Sequence, residues 1–230
     1  DFCLSRGLGD VYKRQNLVYR TSADGLSWSD PTLFKVGGSS SYVLSLAFNG
    51  THFAYAYAPE AGTTLYYRLG QANSDGTITW STSYEQRPGS SYTYDVAICF
   101  DTQGYPYIAY TTYDGGNYYP KVLKSSERNG IWVTASGFPF SLNTTISSSS
   151  WRVSILPLTS GKVYALYTDP SRPIFGRLWD GSSWGSEETA SSSNIEAGAY
   201  HSAVNEGDHV HLVFLKDVSY DIIYVKRTYG

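Results

Sequence analysis

Apolar and polar residues alternate along most of this chain, in short runs closed by glycine-containing turns. That period of two is the mark of half-buried strands, and no stretch sustains the 3.6-residue spacing of an amphipathic helix. VLSLAFNGTHFAYAY (43–57) reads as a strand, a turn and a second strand. The pattern returns as VAICFDTQGYPYIAY (96–110), VSILPLTSGKVYALY (153–167) and SAVNEGDHVHLVF (202–214). Small residues sit in the first strand of each pair (Ser45, Ala97, Ser154, Ser202) and an aromatic in the second (Tyr55, Tyr110, Tyr167, Phe214).

A second hairpin follows the first. Its leading strand is LVYR (17–20), LYYRL (65–69), KVLK (121–124) or IFGRL (174–178). An Asp-Gly or Asn-Gly pair then precedes Trp28, Trp80, Trp132 and Trp184, which stand 52 residues apart. Such pairs predict a type I′ turn, with φ > 0 at both central residues, and the tryptophan is expected to open the strand after it. Serine-rich linkers at 39–41, 90–91, 147–150 and 191–193 separate the units.

Four short antiparallel strands per unit of about 52 residues predict an all-β chain, a β-propeller of four-stranded blades. One such sheet cannot bury both its faces, whereas blades stacked around an axis cover one another. The first strand belongs nearest the axis, where small side chains fit, and the tryptophan fills the wider outer gap. Blades are expected at about 42–84, 95–135 and 152–186, with partial blades at 16–34 and 200–230. Because the two partial blades do not complement each other, the expectation is an open arc of a larger ring.

Residues 1–15 break the pattern. Back-translation of Asp10–Gln15 resembles a transposase-type sequencing adapter, so this tail is expected to be non-native and is set apart from the fold. Excluding it leaves one cysteine, Cys99, with no internal disulfide partner and the character of a small core residue. Charged residues make up only 16% and tyrosine 22 of the 230 residues, with a net charge of −3. This balance lacks the basic face that nucleic acid requires and predicts an extracellular or cell-surface protein; no run is long and apolar enough for a membrane span. Asn49-Gly50-Thr51 and Asn143-Thr144-Thr145 match the N-glycosylation sequon.

The stretches SADGLSW (22–28) and SDGTITW (74–80) resemble shortened Asp-boxes of sialidase-like propellers. DVAICFDTQGYPYIAY and LWDGSSWGSEET are similar to a bacterial and archaeal surface propeller repeat. The resemblance covers 16–230 and implies the architecture; Asp-boxes are structural turns and imply no activity. Sialidases hold a substrate carboxylate with three arginines and use a Tyr–Glu nucleophile pair and an acidic Asp. Arg87, Glu85, Arg152 and Asp95 fall on suitable loops, whereas Arg20, Arg68 and Arg177 are expected at the rim, their stems covering aromatics. Two suitable arginines fall short of three, so no catalytic residue is assigned, and a sialidase-like hydrolase is the alternative reading.

His209 and His211 share one strand face but have no third ligand, so no metal site and no cofactor is expected. An aromatic precedes or opens the first strand of every unit: Tyr42, Tyr94, Trp151 and Tyr200. Together with Asp95 and Arg152 they form the expected ligand-binding set at one mouth of the channel, where flat amphipathic rings stack on sugars or peptide side chains. The function expected is a non-catalytic surface module that binds a glycan or a cell-surface protein.

Overall fold

The computed structural model describes residues 2–3, 17–22, 24–35, 43–59, 63–89, 92–143, 152–168, 172–196 and 201–229. Within them the chain forms β1 (Phe2–Cys3), β2 (Leu17–Thr21), β3 (Thr32–Lys35), β4 (Val43–Phe48), β5 (His52–Ala58), β6 (Tyr66–Ala72), β7 (Ile78–Trp80), β8 (Thr93–Phe100) and β9 (Pro106–Asp114). There follow β10 (Asn117–Lys124), β11 (Phe140–Ser141), β12 (Arg152–Pro157), β13 (Val163–Thr168), β14 (Pro173–Trp179), β15 (Glu188–Asn194), β16 (His201–Glu206), β17 (His209–Leu215) and β18 (Ile222–Thr228). These make the sheets β1–β2–β3, β4–β5–β6–β7, β8–β9–β10–β11, β12–β13–β14–β15 and β16–β17–β18, in which sequential neighbours pair. No described helix is long and apolar enough to cross a membrane.

The sheets stack as propeller blades. The first strands lie innermost, and two successive pairs are tied: Ile98 N donates to Ser45 Oγ at 3.1 Å, and Val153 N to Asp95 Oδ2 at 2.9 Å. Three apolar clusters fill the gaps between successive sheets. In the first, Ala54, Ala56 and Tyr67 of the β4–β7 sheet meet Ile98, Ile108 and Tyr110 of the next. The ring of Trp132 lies edge-on to Tyr67 at 4.9 Å, so the recurring tryptophan fills the outer gap. Cys99 is free and buried in the second cluster, and burial pushes its thiol well above the usual range.

Several details differ from the sequence reading. Gly25, Gly76, Gly130 and Gly181 have φ of 74, 82, 93 and 106°, but the Asp or Asn ahead of each does not share that region, so the turns are not type I′. Instead the side chain closes the turn: Asp180 Oδ1 accepts from Ser182 N and Ser183 N, both at 2.7 Å, and Asp24 Oδ1 from Leu26 N and Ser27 N at 2.8 Å. The tryptophan ends β7 and precedes β3, β11 and β15 rather than opening them, so the outer strands at 140–141 and 188–194 lie past the expected limits of 135 and 186. The expected linker at 191–193 lies within β15, where Ser191 Oγ accepts from Ile174 N at 2.9 Å across a register shift. Register makes Tyr57, not Tyr55, the counterpart of Tyr110, Tyr167 and Phe214.

Among the described residues, no sheet covers the outward face of the β16–β18 sheet. Tyr224 is 58% exposed, whereas its register counterparts Tyr67 and Val122 are buried beneath the following sheet. Val204, Val213 and Ile222 are exposed on the same face. Among the described residues, β18 pairs with β17 alone and β2 with β1 and β3 alone.

Candidate functional site

Of the six expected site residues, Tyr42, Trp151 and Tyr200 lie outside the described residues, and Tyr94, Asp95 and Arg152 lie within them. Tyr94 sits where β8 slips register against β9, between Thr93 and Asp95. Such a bulge re-aims the side chain it inserts. The loop ahead of it is held in a costly conformation, since Tyr92 has φ 78°, rare for a residue with a Cβ.

The hairpin beside Tyr94 completes an aromatic cluster. Gly115 and Gly116 have φ 57 and 95°, a two-residue turn with both centres left-handed, which only glycine adopts freely. It sets Tyr113 and Tyr118 directly opposite each other, with rings 5.0 Å apart. Tyr94 meets Tyr118 edge-on at 4.9 Å and Tyr113 at 6.3 Å, and Tyr92 meets Tyr113 at 6.3 Å. Tyr92 is 51% exposed and the other three are half-buried. Partial burial, then the neighbouring Tyr118, raises the Tyr94 phenol, so Tyr94 presents a neutral hydroxyl at neutral pH. Sequence reasoning found Tyr94 alone. The available signal was the symmetric YDGGNY at 113–118, which puts an aromatic on each side of a glycine turn.

Asp95 ties two inner strands together, and Arg152 opens β12. The Asp95 carboxylate holds the head of β12 through Val153 N; burial raises its pKa, and that amide and the Arg152 charge oppose the rise. His201, buried at the head of β16, has neither ring nitrogen hydrogen-bonded. Burial, followed by the charge of Arg152, pulls its pKa down to about 4.

The tyrosine–glutamate contacts are braces. Glu85 accepts from Tyr55 and Tyr57, both at 2.9 Å, and Glu187 accepts from Tyr167 at 2.6 Å and Asn143 at 2.7 Å. Burial, then the adjacent Glu85, pushes the Tyr57 phenol far above its usual range. The same join recurs in two sheets, which is the behaviour of a repeat. Asn143 of the second sequon is buried in that contact. Arg68 donates to Thr82 O at 2.7 Å while lying 4.4 Å from the Trp80 ring, and Arg177 donates to Leu142 O and Gly185 O. Arg68 lies on β6 and Arg177 on β14, the third strand of each sheet. Arg87 stands 5.3 Å from the Tyr66 ring. His209 bonds Thr228 and His211 bonds Tyr224, and no metal-ligand group of three occurs among the described residues.

Stacked four-stranded sheets with inner strands tied head to head define a β-propeller. Comparison with solved structures agrees. The chain is similar to the Hadza microbial sialidase Hz136 (16% identity, TM-score 0.54, 93% of this chain and 44% of that one). It is also similar to the six-bladed fucose-recognising lectin of Aleuria aurantia (13% identity, TM-score 0.58, 92% and 66%). A third likeness is to an α-L-arabinanase of Penicillium chrysogenum complexed with arabinobiose (12% identity, TM-score 0.59, 98% and 70%). The chain thus spans under half of the sialidase and about two thirds of the lectin, and at these identities the likeness is one of fold. No family model matches the sequence, and no curated protein does.

Proposed function

We propose that this chain is a non-catalytic, glycan-binding propeller module that works outside the cell. The observation that carries this reading is the cluster of Tyr92, Tyr94, Tyr113 and Tyr118 at the head of an inner strand. Its rings offer flat carbon surface to the C–H face of a sugar, and its hydroxyls offer donors and acceptors at the edge. Fucose-recognising and arabinobiose-complexed proteins of the same fold support it. The sparse charge and abundant tyrosine support action outside the cell. The aspartate-closed turns at Asp24 and Asp180 are read as Asp-boxes, with a scaffolding role. A hydrolase reading draws on the sialidase likeness, but Tyr57–Glu85 has its double in Tyr167–Glu187.

A glycan array probed with the 230-residue chain and with Tyr94→Ala and Tyr118→Ala tests this. The expected result is binding by the parent and a loss of tenfold or more in both variants at unchanged melting temperature, about one stacking contact's worth. Equal binding by folded variants would overturn the platform, and turnover of a fluorogenic sialoside would overturn the non-catalytic reading.

A further inference from the structure

The repeat is broken at one place on the opposite face, where the first-to-second strand turns of neighbouring sheets meet. Between the β12–β15 and β16–β18 sheets, Thr159 N and Oγ1 donate to Asp208 at 2.8 and 2.6 Å, and Lys162 Nζ lies 3.1 Å from it. One interface earlier, Gly161 N donates to Thr102 Oγ1 at 2.8 Å. These clasps close the gap. Between the β4–β7 and β8–β11 sheets, no hydrogen bond among the described residues joins the turn at 49–51 to that at 101–105. The turn is only three residues long, and Asn49 Oδ1 is folded back onto Thr51 N and His52 N.

A groove of about 500 Å³ opens there, continuous with a second lobe of about 470 Å³ through Asn49, His52, Phe100 and Gln103. Its walls hold the His52 imidazole and the Gln103 carboxamide, neither with a hydrogen-bond partner among the described residues. Glu127 and Arg128 line it with one charge of each sign, and Asp101 lines the second lobe. Arg128 is anchored through one nitrogen to Gln103 O at 2.9 Å. The buried Phe100 and Leu69 line it, and the exposed Phe48 adds apolar surface to the second lobe.

From this we infer a second binding site, separate from the tyrosine cluster, that takes a neutral monosaccharide unit. The volume suits one ring. Paired amide, imidazole and carboxylate groups match vicinal hydroxyls, which both donate and accept. The opposed charges leave no net preference for an anion.

Titration of the isotopically labelled chain with L-fucose, L-arabinose, D-galactose and D-mannose, each to about 50 mM, tests the site by the amide shifts of Gly50 and Gly104. That ceiling covers the millimolar affinity of a single small ring. At least one sugar is expected to give saturable shifts there. Affinity is expected to fall fivefold or more in His52→Ala and in Gln103→Ala, each checked by its melting curve, and to be unchanged in Tyr118→Ala. The two variants are independent, so failure of one to fold leaves the other decisive. No saturable shift with any sugar, shifts indifferent to the folded variants, or shifts abolished by Tyr118→Ala would each overturn the site. The last outcome would leave the tyrosine platform standing alone, and loss of platform binding would leave the groove untouched.

Discussion

The hydroxyl of Tyr164 occupies the space that a side chain at Gly176 would need: a Cβ there would lie 1.8 Å from the oxygen. Gly176 pairs with Leu166, two residues along β13 from Tyr164, so the tyrosine ring crosses the glycine diagonally and its hydroxyl donates to Glu188 at 2.6 Å. Gly176→Ala is therefore expected to destabilise the chain by about 1–3 kcal/mol through overpacking. In Tyr164→Phe the oxygen is gone, and adding Gly176→Ala to it is expected to cost less than it does alone. Denaturant melts of the four proteins in a double-mutant cycle check both points.

Trp132 and Tyr67 belong to different sheets, so their contact reports on stacking between blades. Each single truncation to Ala is expected to destabilise, with a coupling of about 1 kcal/mol between them. Purely additive losses in the same kind of cycle would mean that the rings pack independently.

His201 takes a position that Val96 and Val153 hold in the preceding sheets. Its folded pKa of about 4 lies below the unfolded value, so its neutral form supports the fold above about pH 6.5, and that support drains away as pH falls towards 4. The loss amounts to about 3 kcal/mol over that window. His201→Val is expected to raise stability at pH 5 far more than at pH 8. Asp95 and Arg152 nearby are common to both proteins, so the difference between their urea midpoints isolates the imidazole.

Asp95 titrates in the other sense. A carboxyl raised by burial stabilises the fold only below its folded pKa, and that contribution disappears as pH rises through it. Asp95→Asn keeps an oxygen for Val153 N and removes a buried charge, so stability at pH 7 is expected to hold or rise. Asp95→Ala leaves that amide unpaired and is expected to lose about 1–3 kcal/mol. Melts at pH 7 distinguish the two.

The blade period, the inner hairpins and the position of the tryptophans were legible because each is a local signal repeated at a fixed distance. Turn chemistry was misjudged because Asp-Gly has two uses: φ alone does not reveal that Asp180 closes its turn with its carboxylate. Ser191–Ser193 read as linker because serine is a poor strand former, yet Ser191 substitutes its hydroxyl for a ladder bond. The place of Tyr94 at the start of an inner strand was legible, while its ring partners come from a hairpin whose register only the folded sheet defines. That Asp95 accepts from Val153 N across two sheets had no sequence signal, because the two residues stand 58 positions apart. The groove at His52 and Gln103 had no sequence signal, because it arises from a clasp missing between residues about fifty positions apart.

Tyr224, Val213, Ile222 and Val204 give the last sheet an oily side with no lid. Anything that settles on that side, including another molecule of the same kind, draws the folded population upward with the logarithm of its concentration. Melting temperatures are accordingly expected to climb with protein concentration, and Tyr224→Lys together with Val213→Lys to flatten that dependence. A midpoint quoted for this chain has meaning only beside the concentration at which it was taken.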